Sequence, residues 1–327
     1  MSRKTVRTLL GTSLAAAVLA SGAFLPGTFP SAEAASRPVS RTPVLVHLDL
    51  AAGQTPENIV LNRDGSADVT FAAARQVARV DADGTSRVLA TLPAPQDPAA
   101  VTPLLGFPLT TGLVRDGDTF YVLYATGAEE TGVWSFVEGE APRKLADLPP
   151  DGLPNGMARD DRTGALYITD SAKGTVHTVA TKGRAKGTVS VFSDSEVLAP
   201  ADFLGVNGAK IRGRYLYVSN LDKGTVLRTP LTGRGAGEFD TFATGLRGID
   251  DFAFTGRGDQ FLAALVTENE VVLADGEGER KTVLTERDGL SNPTSVAVRG
   301  TTAYVPSAAY TTQDDPNLLI TRLHRHH

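Results

Sequence analysis

The chain has 327 residues, a formal net charge of −5 at pH 7 and no cysteine. The lack of cysteine excludes a disulfide framework and a lipid-modified N-terminal cysteine. The acidic balance argues against nucleic acid or an anionic membrane as a partner, because both attract basic proteins. Hydrophobic residues make up 41% of the chain, and no linker-like segment divides it, so we expect one large domain.

Residues 1–34 have the three-part layout of an export signal. The parts are a basic start, a mostly apolar middle and a small-x-small cleavage site: Arg3, Lys4 and Arg7, then residues 9–25, then Ala-Glu-Ala at residues 32–34. A membrane anchor is the alternative, but the apolar run is short for a span and contains several polar residues. The sequence therefore predicts a secreted, extracellular protein with no stable membrane association after the signal is removed.

The mature chain is expected to begin with a flexible stretch, residues 35–42, followed by a strand at residues 43–50, where apolar and polar residues alternate. One pattern then recurs along the chain. Its clearest copies, residues 154–179 and 206–229, each contain an Asn-Gly pair, a strand reading LYITD or LYVSN, a Lys-Gly turn and a third strand. Four weaker copies start near positions 56, 108, 249 and 293. Internal repeats of this kind decide the fold.

Six units that recur at intervals of roughly 40 to 55 residues predict an all-β, six-bladed β-propeller with four antiparallel strands per blade. The sixth unit lacks a fourth strand. The N-terminal strand at residues 43–50 is expected to supply it, so that the last blade closes the ring and leaves no open sheet edge. Residues 43–327 then form a single propeller domain. A long β-sandwich is the alternative fold, but it gives no reason for a sixfold recurrence.

One position of the repeat carries polar side chains that should converge, because the first strand of each blade lines the central channel. The residues at this position are Glu57, Thr111, Asn155, Asn207, Asp250 and Thr294. Two carboxylates and two amides offer hard oxygen ligands with a charge of −2, which suits Ca²⁺ better than zinc. An ordinary turn is the alternative interpretation of each Asn-Gly pair. The two threonines are candidates for hydrogen bonds to a substrate.

The openings PEN, PNG, VNG and IDD of four units resemble the superfamily of SMP-30/gluconolactonases, diisopropylfluorophosphatase-like enzymes and paraoxonases, over essentially the whole mature chain. In that superfamily a Glu, two Asn and an Asp hold a catalytic calcium ion. The resemblance implies that Glu57, Asn155, Asn207 and Asp250 are the calcium ligands here. The chain departs from paraoxonases in having Asp251 after Asp250, and their histidine pair has no counterpart near the predicted site.

The resemblance implies a calcium-dependent hydrolase that acts on a small-molecule lactone or a related ester. We also expect a monomer. Asp250 or Glu57 would act as the base on a water molecule, or Asp250 would attack the substrate directly. Arg247 at the rim is a candidate for binding an anionic group of the substrate, and Asp251 is a further candidate for contact with it.

Two other functions stay open at this stage. One is a non-catalytic exported propeller that binds a ligand or partner and uses calcium structurally. The other is a lyase-type propeller similar to streptogramin lyase, a chemistry that calls for a histidine near the mouth of the channel. His177 is expected in the third strand of its blade, away from the mouth, so it does not meet that need.

Overall fold

The computed structural model describes residues 38–40, 44–232 and 235–324. They form six sheets of four antiparallel strands, and the first strands of the sheets contact one another around a central channel. The six-bladed β-propeller predicted from the repeats is thereby confirmed. The predicted export signal at residues 1–34 lies outside the described residues. In the described part of the chain, no helix is long and apolar enough to cross a membrane.

The first five blades follow the chain, each with its strands in sequence order from the channel outwards. The strands of the first three blades are β2 (Pro56–Leu61), β3 (Ala67–Phe71), β4 (Gln76–Val80), β5 (Ser86–Thr91), β6 (Leu109–Asp116), β7 (Thr119–Ala125), β8 (Gly132–Val137), β9 (Arg143–Asp147), β10 (Pro154–Arg159), β11 (Leu166–Asp170), β12 (Thr175–Val179) and β13 (Val189–Ser193). Those of the next two are β14 (Val206–Arg212), β15 (Tyr215–Asn220), β16 (Thr225–Pro230), β17 (Asp240–Ala243), β18 (Ile249–Phe254), β19 (Phe261–Leu265), β20 (Glu270–Ala274) and β21 (Arg280–Leu284). Single 3₁₀ turns, Glu196–Leu198 and Glu286–Asp288, precede the fourth and sixth blades.

The sixth blade combines the two ends of the chain. Its inner strands are β22 (Ala297–Arg299), β23 (Thr302–Ser307) and β24 (Asn317–Arg322), and its outer strand is the N-terminal β1 (Val44–His47). β1 lies antiparallel to β24, with Val44 opposite Leu319 and His47 opposite Asn317. The predicted closure of the ring is confirmed, with a strand shorter than residues 43–50. Val39 is buried and pairs with Leu323, so this part of the stretch expected to be flexible packs against the last blade.

Burial differs between the strands of a blade because neighbouring blades cover the inner strands on both faces. The second strand β19 (FLAAL) is buried at every position, as a short apolar run predicts. The second strand β3 (ADVTF) is also buried throughout, although it contains Asp68 and Thr70. The outer strand β13 has no buried residue. Aromatic rings fill the space between the fourth and fifth blades, where Tyr217 packs edge-to-face against Phe242 and Phe254. This packing joins the fourth blade to the fifth.

Candidate functional site

The first strand of each of the five N-terminal blades carries a β-bulge at the same place. The register shifts between Pro56 and Ile59 in β2, and at the equivalent positions of β6, β10, β14 and β18. A bulge redirects side chains out of the regular alternation of a strand. The interrupted segments contain the predicted ligands, which are Glu57, Asn155, Asn207 and Asp250. The same β-bulge in each first strand therefore orients these four side chains.

Hydroxyl groups on the second strands hold the bulges and connect neighbouring blades. In β15, the Ser219 hydroxyl accepts a hydrogen bond from the backbone N–H of Gly208 at 2.7 Å and donates one to the carbonyl of Asp250 at 2.7 Å. Thr70 in β3 makes the same pair of contacts between the first and second blades. Each hydroxyl fixes the bulge of one strand against the next strand. The placement of the four side chains therefore depends on the closed ring.

The Asn-Gly pairs lie inside β10 and β14, so they are not turns. Their glycines allow the first strands to approach closely. A Cβ atom at Gly156 would lie 2.2 Å from the carbonyl oxygen of Asn207, and one at Gly208 would lie 2.4 Å from Oδ1 of Asp251. A residue type other than glycine would not fit at these two positions. The Asn supplies the polar side chain, and the Gly that follows it permits the close contact between blades.

The four predicted ligands line one cavity of about 310 Å³ at the end of the channel. Each is at most 8% exposed. Both polar atoms of the Asn207 side chain are buried and lack a hydrogen-bond partner in the described structure. A buried amide without a partner is costly, so it points to a ligand that the amide oxygen would contact.

Tyr310, which sequence reasoning missed, lies in the same cavity and donates a hydrogen bond to Oε2 of Glu57 at 2.7 Å. Burial raises the pKa of Glu57 to about 7; the hydrogen bond from Tyr310 lowers this pKa, and the charge of Asp251 raises it. The pKa of Asp250 is raised well above its usual range by burial and then by the charges of Glu57 and Asp251. Without a cation, the two carboxyl groups resist ionising together.

The donor set is of the kind that a hard divalent cation prefers. Two carboxyl groups and two amides line one small space, one amide lacks a partner in the described structure, and the pKa values of both carboxyl groups are raised, a shift that a nearby cation would oppose. In the described residues, no group of three or more His, Cys, Asp or Glu side chains is placed to hold a metal ion. A metal at this site would therefore depend on the two asparagine side chains as well as on the carboxylates.

Thr111 and Thr294, predicted to contact a substrate, do not line the cavity. Both are buried, and their hydroxyl groups donate 2.8 Å hydrogen bonds to the carbonyls of Pro154 and Pro56. These carbonyls belong to the first strands of the following blades. The two threonines thus connect neighbouring blades, as Ser219 does.

Asp251 lies beside the cavity, in the channel, and does not line it. Both of its carboxylate oxygens accept hydrogen bonds from the Lys210 ammonium at 2.6 Å, and Oδ2 accepts another from the hydroxyl of Ser295 at 2.7 Å. Lys210 is a second residue that sequence reasoning missed. Its charge lowers the pKa of Asp250 and so partly offsets the repulsion from Asp251.

Arg247 and His177 stand apart from the cavity. Arg247 is exposed and does not line it, so the described contacts give this residue no role there. His177 lies in β12, as expected, and is 6% exposed with no hydrogen-bond partner for either ring nitrogen in the described structure. Burial lowers its pKa. The residues that line the cavity include no histidine.

Sequence comparisons identify no relative: no family model matches the chain, and no curated protein matches it. Several solved structures do match the fold of the chain. The calcium-binding protein regucalcin from Agrobacterium tumefaciens is similar with a TM-score of 0.57 and 19% identity, over 86% of this chain and 91% of that one. The PQQ-bound aldose sugar dehydrogenase from Streptomyces coelicolor is similar with a TM-score of 0.61 and 13% identity, over 87% and 97% of the two chains.

A virginiamycin B lyase from Staphylococcus aureus, solved with quinupristin, is also similar, with a TM-score of 0.57 and 14% identity over 83% of this chain and 82% of the lyase. These proteins differ in chemistry and share a fold, so the likeness alone assigns no reaction. The comparisons and the strand topology together identify the chain as a six-bladed β-propeller.

Proposed function

We propose that the protein is an exported, calcium-dependent hydrolase that acts on lactones or related esters. The observation that carries this proposal is the convergence of Glu57, Asn155, Asn207 and Asp250 in one cavity, with the buried Asn207 amide unpartnered. The likeness to the calcium-binding regucalcin supports the choice of metal. The resemblance of the four openings to the lactonase superfamily supports the choice of reaction.

The four side chains would hold the ion, and the bulges would keep their oxygen atoms in place. A bound Ca²⁺ would polarise the carbonyl or phosphoryl oxygen of the substrate and stabilise the negative charge that develops on it. The apolar walls of the cavity would lower the local dielectric constant and so strengthen these interactions.

Asp250 is the better of the two candidates for the base. One oxygen of Glu57 already accepts a hydrogen bond from Tyr310, whereas no hydrogen bond to the carboxylate of Asp250 occurs among the described contacts. Asp250 is therefore free to take a proton from a water molecule or to attack the substrate. Burial and neighbouring charges raise its pKa, which increases its basicity.

A panel of lactones, aryl esters and phosphotriesters, assayed with Ca²⁺ and with chelator, tests the proposal. We expect hydrolysis that requires calcium. Asp250→Asn should lower kcat by a factor on the order of 10² to 10⁴, as expected for a lost acid–base group. Ca²⁺ should still bind to this variant, but with lower affinity. Asp259→Asn, at an exposed carboxylate paired with Arg212, should leave the rate unchanged.

The result also separates an enzyme from a binding module. A binding module would hydrolyse nothing in the panel, and its ligand affinity would respond to Asp250→Asn only through lost calcium. If Glu57 is the base, Glu57→Gln should be the more damaging substitution. Hydrolysis that survives both substitutions at the wild-type rate would place the active site elsewhere.

Export and the monomeric state are further parts of the proposal, and export rests on the sequence. Residues 1–34 have the layout of a cleaved signal. Protein recovered from the culture medium should begin near Ala35, and an intact N-terminus on that protein would contradict export. Light scattering of the purified mature protein should give the mass of one chain, and a larger mass would contradict the monomer.

A further inference from the structure

The walls of the cavity are apolar, in contrast to its floor. An apolar collar surrounds the four predicted ligands. It consists of Leu105, Phe107, Leu109, Leu204, Leu221 and Val266. These residues belong to one hydrophobic cluster, in which Leu109, Leu204 and Leu221 are buried and the others are partly buried. Because three different blades, the second, fourth and fifth, contribute residues to the collar, it is a built feature of the channel mouth.

The collar offers few polar groups to a ligand. The hydroxyl of Tyr310 already donates to Glu57. The hydroxyl of Thr311 donates to Oδ1 of Asn292 at 3.1 Å. Thr267 is the remaining polar residue that lines the cavity above the floor, and it is exposed at the rim. A ligand that enters the cavity therefore meets its polar partners at the floor and hydrocarbon along the walls.

These walls distinguish between classes of lactone. The ring hydroxyls of a sugar lactone would lose water on entering the cavity and would find almost no free donors or acceptors at the collar, which makes their burial unfavourable. An alkyl substituent at the same ring position would leave water for an apolar surface, which is favourable.

The size of the cavity limits the substituent. A volume of about 310 Å³ corresponds to roughly ten non-hydrogen atoms if each occupies about the 30 Å³ of a water molecule. A five- or six-membered lactone uses most of that space and leaves room for a few carbon atoms. Phe203, at the rim of the cavity and 42% exposed, is placed to cover the outer end of such a chain.

We propose that the substrate is a lactone or ester with a short hydrocarbon substituent that lies along the apolar collar, and that sugar lactones are poor substrates. This inference rests on the proposed function for the reaction itself. The preference for hydrocarbon over polyhydroxylated ligands is independent of the proposed function, because that preference follows from the collar.

Rates for a series of δ-lactones test the proposal. The value of kcat/KM should rise by a factor on the order of four for each added methylene group up to about four carbons. Gluconolactone should react more slowly than the unsubstituted ring. A flat alkyl series, or a preference for gluconolactone, would overturn the inference and leave the proposed hydrolase intact.

Three variants locate the effect. Val266→Thr keeps the shape of the side chain and replaces a methyl group of the collar with a hydroxyl, so it should reduce the preference for the butyl-substituted over the unsubstituted lactone. Phe203→Ala should reduce kcat/KM only for the lactones with the longest substituents. Leu104→Ala, at a residue that is 55% exposed beside the collar and does not line the cavity, should leave the whole series unchanged. An equal effect of all three variants would contradict the role of the collar.

Binding separates this inference from the proposed function. The 2-alkylcyclopentanones carry a ring and a carbonyl group but no ester bond, so calorimetry with calcium-loaded protein reports their affinity without hydrolysis. Affinity that increases from cyclopentanone to its butyl derivative and falls in Val266→Thr would support the collar even if no lactone is hydrolysed. No binding of any member would overturn the inference, whatever the activity.

Discussion

The hydroxyl of Tyr310 donates a 2.7 Å hydrogen bond to Oε2 of Glu57. Tyr310 follows β23 in the last blade, and Glu57 lies in β2 of the first, so the contact joins these two neighbouring blades. It occupies one of the two carboxylate oxygens and leaves the other to face the cavity. The orientation of a predicted metal ligand thus depends on a residue from the opposite end of the chain.

Tyr310→Phe should weaken calcium binding. The pKa of Glu57 is about 7 because burial raises it and the hydrogen bond from Tyr310 partly opposes that rise. Loss of the hydrogen bond should therefore raise the pKa further. At pH 7 a larger fraction of the Glu57 carboxyl groups would then be protonated and unable to bind a cation. Calorimetry at pH 7 should show an affinity lower by a factor on the order of ten, and the loss should be smaller at pH 9. Tyr215→Phe, at the exposed end of β15, is the control. Equal affinities of Tyr310→Phe and wild type at both pH values would contradict the prediction.

Asn207→Ala should change stability differently with and without calcium. In chelator, the substitution removes a buried amide that has no partner in the described structure, so little stabilising energy is lost. At a calcium concentration of about 100 Kd, the wild type gains about 2.7 kcal/mol from binding, and the variant loses much of that gain. Melting curves in chelator and in calcium measure both effects.

Asn220→Ala is the matched control for this experiment. Asn220 is equally buried, but its amide donates to the carbonyls of Val197, Leu198 and Ala199. Its loss should destabilise the protein by a similar amount in both conditions. If Asn207→Ala also lowers the melting temperature equally in chelator and in calcium, Asn207 is not a calcium ligand.

Glu57→Gln should stabilise the calcium-free protein at alkaline pH. The pKa of Glu57 is raised from 4.5 to about 7 in the folded protein, so the folded state favours the neutral carboxyl group. The stability that this group contributes is fully present below pH 4.5 and is lost as the pH rises through about 7. Because Gln resembles the neutral form, the variant should exceed the wild type by on the order of 1–3 kcal/mol at pH 8 in chelator.

The comparison has two internal checks. At pH 4 the difference between Glu57→Gln and wild type should nearly vanish, because the carboxyl group is then mostly protonated in both states. In calcium at pH 8 its sign should reverse, because Gln lacks the negative charge that attracts the ion. Glu277→Gln, in an exposed loop, should show neither change. Denaturant unfolding provides the free energies, and a variant less stable than wild type at pH 8 in chelator would refute the prediction.

Gly156→Ala should destabilise the fold and weaken calcium binding together. The added Cβ would lie 2.2 Å from the carbonyl oxygen of Asn207, so β10 and β14 must separate, at a cost of about 1–3 kcal/mol. Gly213→Ala, in the open turn between β14 and β15, meets no atom within 4 Å and has φ of +62°. It should cost only backbone strain and should leave calcium affinity unchanged. Unchanged affinity in Gly156→Ala would show that the close approach of the strands does not position Asn207.

The sequence was sufficient for the fold because each blade repeats a local pattern, and the missing fourth strand of the last unit indicated the split blade. Alignment of the units also placed Glu57, Asn155, Asn207 and Asp250 at one equivalent position of the repeat. Thr111 and Thr294 occupy the same position in the other two units. A hydroxyl at this position has two possible partners, a ligand or the next blade, and the choice depends on contacts between blades that a repeat pattern does not contain.

Tyr310 and Lys210 show where repeat analysis fails. Tyr310 lies in a connection whose length differs from those of the other blades, so alignment of the repeats gives it no counterpart. Lys210 does align, but the positions three residues after Glu57, Asn155 and Asp250 are apolar. A single lysine among apolar equivalents is a signal that could have been recognised, because a charge at a position that faces the channel needs a partner there.

The pairing of β1 with β24 has a consequence for the kinetics of folding. Each of the first five blades is contiguous in sequence and forms from nearby chain, but the last must wait for both termini. Its closure carries the entropy cost of bringing distant segments together. Until that step, β24 presents an unpaired edge to which another chain can add. The interval between completion of the sixth unit and docking of the N-terminal strand is therefore the period in which this protein is most prone to aggregate.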